Sequence, residues 1–368
     1  MKEASYAAFA SEIRALGERL RANQGPADQA HLNKLLSWYY ALFLLGNGTL
    51  HWKPNLMTIL CLSTASFVRW TLVAHHVCHG GYAHIDRKKF AVGSIFRRMM
   101  DWFDWILPEA WNVEHGQLHH YSLNESNDPD LLERNISGLR NLKAPMPVKY
   151  VAVAFLMCSW KWFYYASNTY NYILRGNTDG TGEPKVVTLM SIAAGKTPSW
   201  WSTPMFVTKV VGPFFLMRFV MLPVLVQCLG GSGMNAILNI LTAELLTNIH
   251  SFVMIATNHS GDDLTRFETH CEPKSDEFYV RQVLGSTDYH TGGGDLIDFL
   301  HGFSNYQVEH HMWPDLSALS YQRSHAEVKD ICSRHGIPFT QEYIFTRLRK
   351  TIDIMVGNTS MIRQKKNI

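Results

Sequence analysis

The chain has 368 residues, 46% of them hydrophobic and 18% charged, with 19 phenylalanines, 15 tyrosines and 11 tryptophans, which excludes a disordered polypeptide. A net charge of +3 is too small for the dense basic surface that nucleic acid demands, so no nucleic-acid partner is expected. The six cysteines form no C-x-x-C pair, which argues against a disulfide framework or a cysteine-zinc site.

In chain order, residues 1–34 are polar and helix-prone and read as an N-terminal cytoplasmic segment. They lack the basic stretch followed by an apolar one that marks a cleavable signal peptide. An aromatic-rich apolar run starts at Leu35 and closes at Gly46-Asn47-Gly48, predicting a first span over about 35–48. The run at 54–74 is long enough, at ~20 residues, to cross a hydrocarbon core. The stretch 148–174 is apolar but broken by Lys161 and by several tyrosines and asparagines, which predicts an interfacial amphipathic helix. Further spans are predicted at 210–229 and 234–256, joined by Gly230-Gly231-Ser232-Gly233.

Four spans in two hairpins put both termini and the 75–205 loop on one side of the bilayer. Arg14, Arg19, Arg21 and Lys34 in the tail, and Arg87, Lys88 and Lys89 in the loop, mark that side as cytoplasmic. Arg69 and Arg218 fall inside predicted spans, where a charge is costly unless paired or lining a cavity. The expected fold class is therefore all-α integral membrane, with four transmembrane helices under a cytoplasmic helical cap. The membrane domain covers 35–343, and 344–368 is a basic tail ending in Lys365-Lys366-Asn367-Ile368. Core helices of a soluble protein are the alternative reading of the apolar runs.

The unusual residue is histidine, with 18 copies. Directly after the second span come His75-His76-Val77-Cys78-His79, in which His75 and His79 are four apart and share a helix face. His115 and His119 repeat that spacing, with His120 beside the second. The third cluster is Gln307-Val308-Glu309-His310-His311, and His259 ends the last span in Asn258-His259. The topology gathers all of them at the cytoplasmic mouth of the bundle. Neutral imidazole suits zinc, copper, iron and nickel, and seven or eight nitrogens exceed the needs of one ion, so two metals are implied. Beside an apolar bundle such a centre suggests oxygen chemistry, because no side chain can take hydrogen from unactivated hydrocarbon.

These clusters resemble the integral-membrane fatty acid desaturase family. Asn305-Tyr306-Gln307-Val308-Glu309-His310-His311-Met312-Trp313-Pro314 is similar to the front-end branch, which places glutamine at the first position of the third box; Cys332-Ser333-Arg334-His335-Gly336-Ile337-Pro338 and Asn127-Asp128-Pro129-Asp130 match the same branch. The likeness runs from about Thr71 to Tyr343. It implies a mushroom-shaped, four-span fold whose cap holds two irons that act with O2. His75 and His79, His115, His119 and His120, His310 and His311, and His259 would be the ligands. Gln307 would be a contact or a supporting partner, and Asn258 a further one. Glu114, Glu309, Asp128 and Asp130 are candidates to fix the ligand tautomers.

Three departures stand out. The first box reads His-His-Val-Cys-His where the branch has aspartate second and glycine fourth, which makes His76 and His84 alternative ligands. The second box, H-x-x-x-H-H, is one residue longer than is common. No HPGG haem motif is present, so electrons are expected from a separate ferredoxin or small cytochrome.

The expected activity is insertion of a cis double bond into a fatty acyl chain carried by coenzyme A, a carrier protein or a lipid. A hydroxylase, an acetylenase or another lipid oxygenase is the nearest rival, and a non-catalytic metal or haem membrane protein a more distant one.

Overall fold

The computed structural model describes residues 3–83, 85, 105–175 and 202–365; His84, Arg87, Lys88, Lys89, Trp102 and the terminal 366–368 lie outside the described residues. The described chain is helical: α1 Glu3–Asn23, α2 Pro26–Gly48, α3 Leu56–Cys78, α4 over 108–119, α5 over 146–175, α6 Thr203–Cys228, α7 Gly233–Ala256, α8 Asp276–Gly285, α9 Asp295–Leu300, α10 Gln307–Met312, α11 Ala318–Arg334 and α12 Ile344–Val356. Local chemistry sets several starts. The Asn55 side chain accepts from the Thr58 amide ahead of α3, and Ser232 accepts from Asn235 ahead of α7, so each satisfies an orphan donor of the first turn.

Three of these helices, α3, α6 and α7, are long and apolar enough to cross a membrane. The stretch expected as a first span lies inside α2, which starts earlier, at Pro26. The first turns of α2 carry polar residues tied to the cap: Ser317 donates to Asp28, Lys34 pairs with Asp295, and His31 Nε2 lies 3.3 Å from the same carboxylate.

The segment expected to lie at the interface, 148–174, instead packs along α7 within α5. The reason is Lys161. Its ammonium is fully buried and donates to Glu244 of α7, whose other oxygen accepts from Arg218 Nε at 2.7 Å. The cation that breaks the apolar pattern is thus the residue that holds the helix against the bundle. Arg69 lines a cavity of about 570 Å³ beside this triad.

Two short parallel ladders tie the cap together. β1 (Thr265–Phe267) pairs with β4 (Ile362–Gln364), and β2 (Asp288–Tyr289) with β3 (Gln341–Glu342). The segment after residue 343 is therefore folded into α12 and β4. The main core joins α1, α8 and α11 around Trp313. There α1 approaches so closely that a Cβ at Gly17 would sit 2.3 Å from the Trp313 indole nitrogen.

Candidate metal centre

Three of the four histidine-bearing segments sit on or just after a widened π turn, a feature common at functional sites. One covers Arg69–Ala74 and leads into His75–Cys78, another Asn112–His119, and a third Phe252–Ala256 ahead of His259. After the first of these the chain returns to α geometry. The His79 amide donates to the His75 carbonyl at 3.1 Å, so these two imidazoles share a face, as their spacing predicts.

The second box behaves differently. Its π geometry has the His120 amide donating to the His115 carbonyl at 3.3 Å, and the two Nε2 atoms lie 3.2 Å apart. Residues five apart also share a face here, while His115 and His119 keep the expected proximity: their rings stack at 5.0 Å, and with Asp130 they form a further group within 4.8 Å. One ring nitrogen from each of His75, His79, His115, His120 and His310 falls within 4.8 Å of all the others, while His119, His259 and His311 make a second group to the same limit.

Gln307 places Nε2 at 2.9 Å from His259 Nε2, against the second group. His76 belongs to neither group: its Nδ1 donates to the Leu72 carbonyl at 3.0 Å. Asn258 also turns away, donating to the Thr287 and Ser304 carbonyls and accepting from Tyr289.

Outer partners fix the ring orientations. His119 Nδ1 lies 2.8 Å from Asp128 Oδ1, and that carboxylate is itself held by the amides of Asn124 and Asp130. His310 Nδ1 faces the Tyr321 hydroxyl at 3.3 Å, whose proton goes to the Trp313 carbonyl. His311 Nδ1 faces Gln282 Oε1 at 3.2 Å and His259 Nδ1 the Gly285 carbonyl at 3.3 Å. All four partners are acceptors, so Nδ1 carries the proton and the Nε2 lone pair is free to face the centre. Of the carboxylates singled out from sequence, Asp128 takes this part, whereas Glu309 accepts from His325. Nothing local in the sequence marks Gln282 or Tyr321, which lie on the neighbouring helices α8 and α11, 29 and 11 residues from the rings they face.

Electrostatics favour neutral rings. Burial pushes His79 and His259 down to about 3, and holds His115, His120, His310 and His311 well below the ordinary histidine range. His119 differs: burial opposes its charge, but Asp128 and Asp130 outweigh it and raise the imidazole. Burial and the neighbouring Asp130 also hold the Glu114 carboxyl well above the usual range.

The donors fit metal ions. Nitrogens bound to one ion at about 2.1 Å and a right angle are about 3 Å apart. The Nε2 pairs His75–His310, His259–His311 and His115–His120 lie at 2.8, 3.1 and 3.2 Å, and His79 Nε2 is buried with no hydrogen-bond partner.

Two cavities flank the nitrogens. One, of about 60 Å³, is walled by Trp70, Trp111, Trp160, Tyr164 and Tyr165 and reached by His75, His115, His119 and His259. The Trp111 ring stacks on His115 at 4.4 Å, and its indole N–H donates to Tyr165 at 2.9 Å. The other, of about 280 Å³, is polar, with Arg21, Lys274 and Asp315 beside His79, His120 and His311.

Fold and site together define a helical protein with apolar helices of membrane-spanning length and histidine clusters able to hold metal. The family model described as "Fatty acid desaturase" matches residues 50–343, and the chain belongs to that family. The NADPH-dependent stearoyl-CoA 9-desaturase of Mycobacterium tuberculosis is 30% identical over 112 residues, 30% of this chain and 26% of that protein. Delta(5) fatty acid desaturase A of Dictyostelium discoideum is 24% identical over 337 residues, 86% of this chain and 65% of that protein. The acyl-lipid (9-3)-desaturase of Borago officinalis is 24% identical over 117 residues, 32% of this chain and 24% of that protein. The chain thus spans from 24% to 65% of the length of these relatives. No solved structure matches it.

Proposed function

We propose that the chain is an oxygen-dependent fatty acyl desaturase of the front-end-like branch, set in the membrane by several spans with its site on the cytoplasmic side. The observation that carries this is the meeting of eight imidazoles in two groups beside an aromatic cavity. His75, His79, His115, His120 and His310 would hold one iron. His119, His259 and His311 would hold the other, with Gln307 beside it. Two irons, when bound, supply the oxygen chemistry that removes hydrogen from an unactivated pair of methylenes.

The rest is the work of this chain's own side chains. The Trp111, Trp160 and Tyr165 walls take the acyl segment to be converted and keep water from it, which sharpens every electrostatic effect in the site. Trp105 packs on Trp70 with ring centroids 5.6 Å apart and lines the 570 Å³ cavity, which offers apolar space for more of the chain. The polar cavity on the opposite side suits approach of a reduced protein donor such as a ferredoxin or small cytochrome. Asp128 is a positioning residue that acts through His119. Asp128→Asn leaves the size unchanged but weakens the hold on the His119 proton, and should lower activity or metal affinity 10- to 100-fold. Iron content per chain, measured with turnover, checks this.

Expression in a host of simple lipid profile tests the reading, with total fatty acids compared by gas chromatography–mass spectrometry after derivatising the double bonds. A new unsaturated species is expected. A new hydroxylated species in its place would assign the chain to the hydroxylases.

A further inference from the structure

A second group of donor atoms lies on the far side of the third histidine box. Asp288 comes from β2, Glu309 from α10 and His325 from α11, and one donor atom from each falls within 4.8 Å of the other two. His325 Nδ1 is 3.0 Å from Glu309 Oε1 and 3.2 Å from Asp288 Oδ2. Both carboxylates are 0% exposed. The other Asp288 oxygen is used by the Val308 amide at 2.9 Å, but Asp288 Oδ2 and Glu309 Oε2 accept no hydrogen bond among the described residues. A single Nδ1–H thus stands between two buried carboxylates, and leaving such acceptors uncompensated is costly.

We propose that Asp288, Glu309 and His325 form a further metal site, separate from the histidine centre, that takes one divalent transition-metal ion. One imidazole and two carboxylates make a mixed nitrogen–oxygen donor set, suited to manganese, iron or zinc rather than to magnesium or calcium. His325 is 20% exposed on its side chain and provides the way in. Ligation through Nδ1 places the ring proton on Nε2, and the Gln341 amide, whose Nε2 lies 3.0 Å from it, turns over to accept that proton, giving up the bond its Oε1 accepts from the exposed Lys329 ammonium at 2.9 Å. The ion would pin β2, α10 and α11 at one point, and so brace the helix that presents His310 and His311. None of its donors belongs to the histidine centre.

The test is a count of bound ions. Full-length wild type, Asp288→Asn and His325→Gln, each in lipid nanodiscs, are incubated with zinc, desalted and analysed by inductively coupled plasma mass spectrometry. Each variant should hold one ion fewer per chain than wild type. Equal content in all three overturns the site and leaves the carboxylates sharing a proton instead. Because only the difference is read, the result stands whatever the histidine centre binds or catalyses. Thermal unfolding reports whether each variant is folded; if Asp288→Asn is not, the more exposed His325→Gln carries the comparison.

Discussion

Replacing His119 or His310 by alanine is expected to abolish product formation and to lower bound iron. The two test different halves of the centre. His310 sits in the five-histidine group with its Nε2 at 2.8 Å from that of His75, while His119 is one of only three in the other group. Each is also preset by an outer partner, Tyr321 for His310 and Asp128 for His119, so its Nε2 faces inward. Alanine removes the metal donor itself, not merely the group that orients it. The loss should therefore exceed the 10- to 100-fold that disturbing an outer partner costs. Fatty acid profiles and iron per chain, measured on the same preparations, check it. Normal product yield from either variant would sink the two-iron assignment.

The largest effect on stability is expected at Glu244, far from the metal chemistry. Glu244 is fully buried between Lys161 and Arg218, and Arg218 also donates to Ser66 at 3.0 Å. Glu244→Ala leaves both cations without the anion they share, and breaking a buried pair in this way costs about 3–5 kcal/mol. Against a usual net stability of roughly 5–15 kcal/mol, that is a large share of the total. Lys161→Met should be much milder, because Glu244 keeps Arg218 and the methionine fills similar space. Thermal melting of the detergent-solubilised proteins separates the two. A Glu244→Ala protein that melts with wild type would show that the triad contributes nothing to holding α5 and α6 on α7.

The Lys161–Glu244 pair also shows where reading by pattern fails. Lys161 interrupts an apolar run, and on local composition alone the run belongs at an interface. Its partner is 83 residues away, and no periodicity encodes a contact at that separation. The histidine boxes divide in the same way. His75 and His79 follow regular α spacing, and their shared face is legible from four residues of sequence. The meeting of His115 with His120 is not, because a π turn adds side chains five apart to those that coincide. Whether a helix takes such a turn depends on what packs around it.

By itself the sequence determined which residue types are available and in what local order. It supplied three helices long and apolar enough to span a bilayer, eight histidines in three boxes and just after the last span, and the glycine-rich turn between α6 and α7. Local chemistry suffices for these, since hydropathy and spacing act over a few turns of chain. Tertiary structure alone decided which boxes bring their imidazoles together, which carboxylate orients a ligand and which cation is paired. Asp128 holds His119 while Glu309 turns to His325, although both lie close in sequence to a histidine box. The direction a side chain takes is set by the buried partners it finds, and those are in place only once the chain has folded.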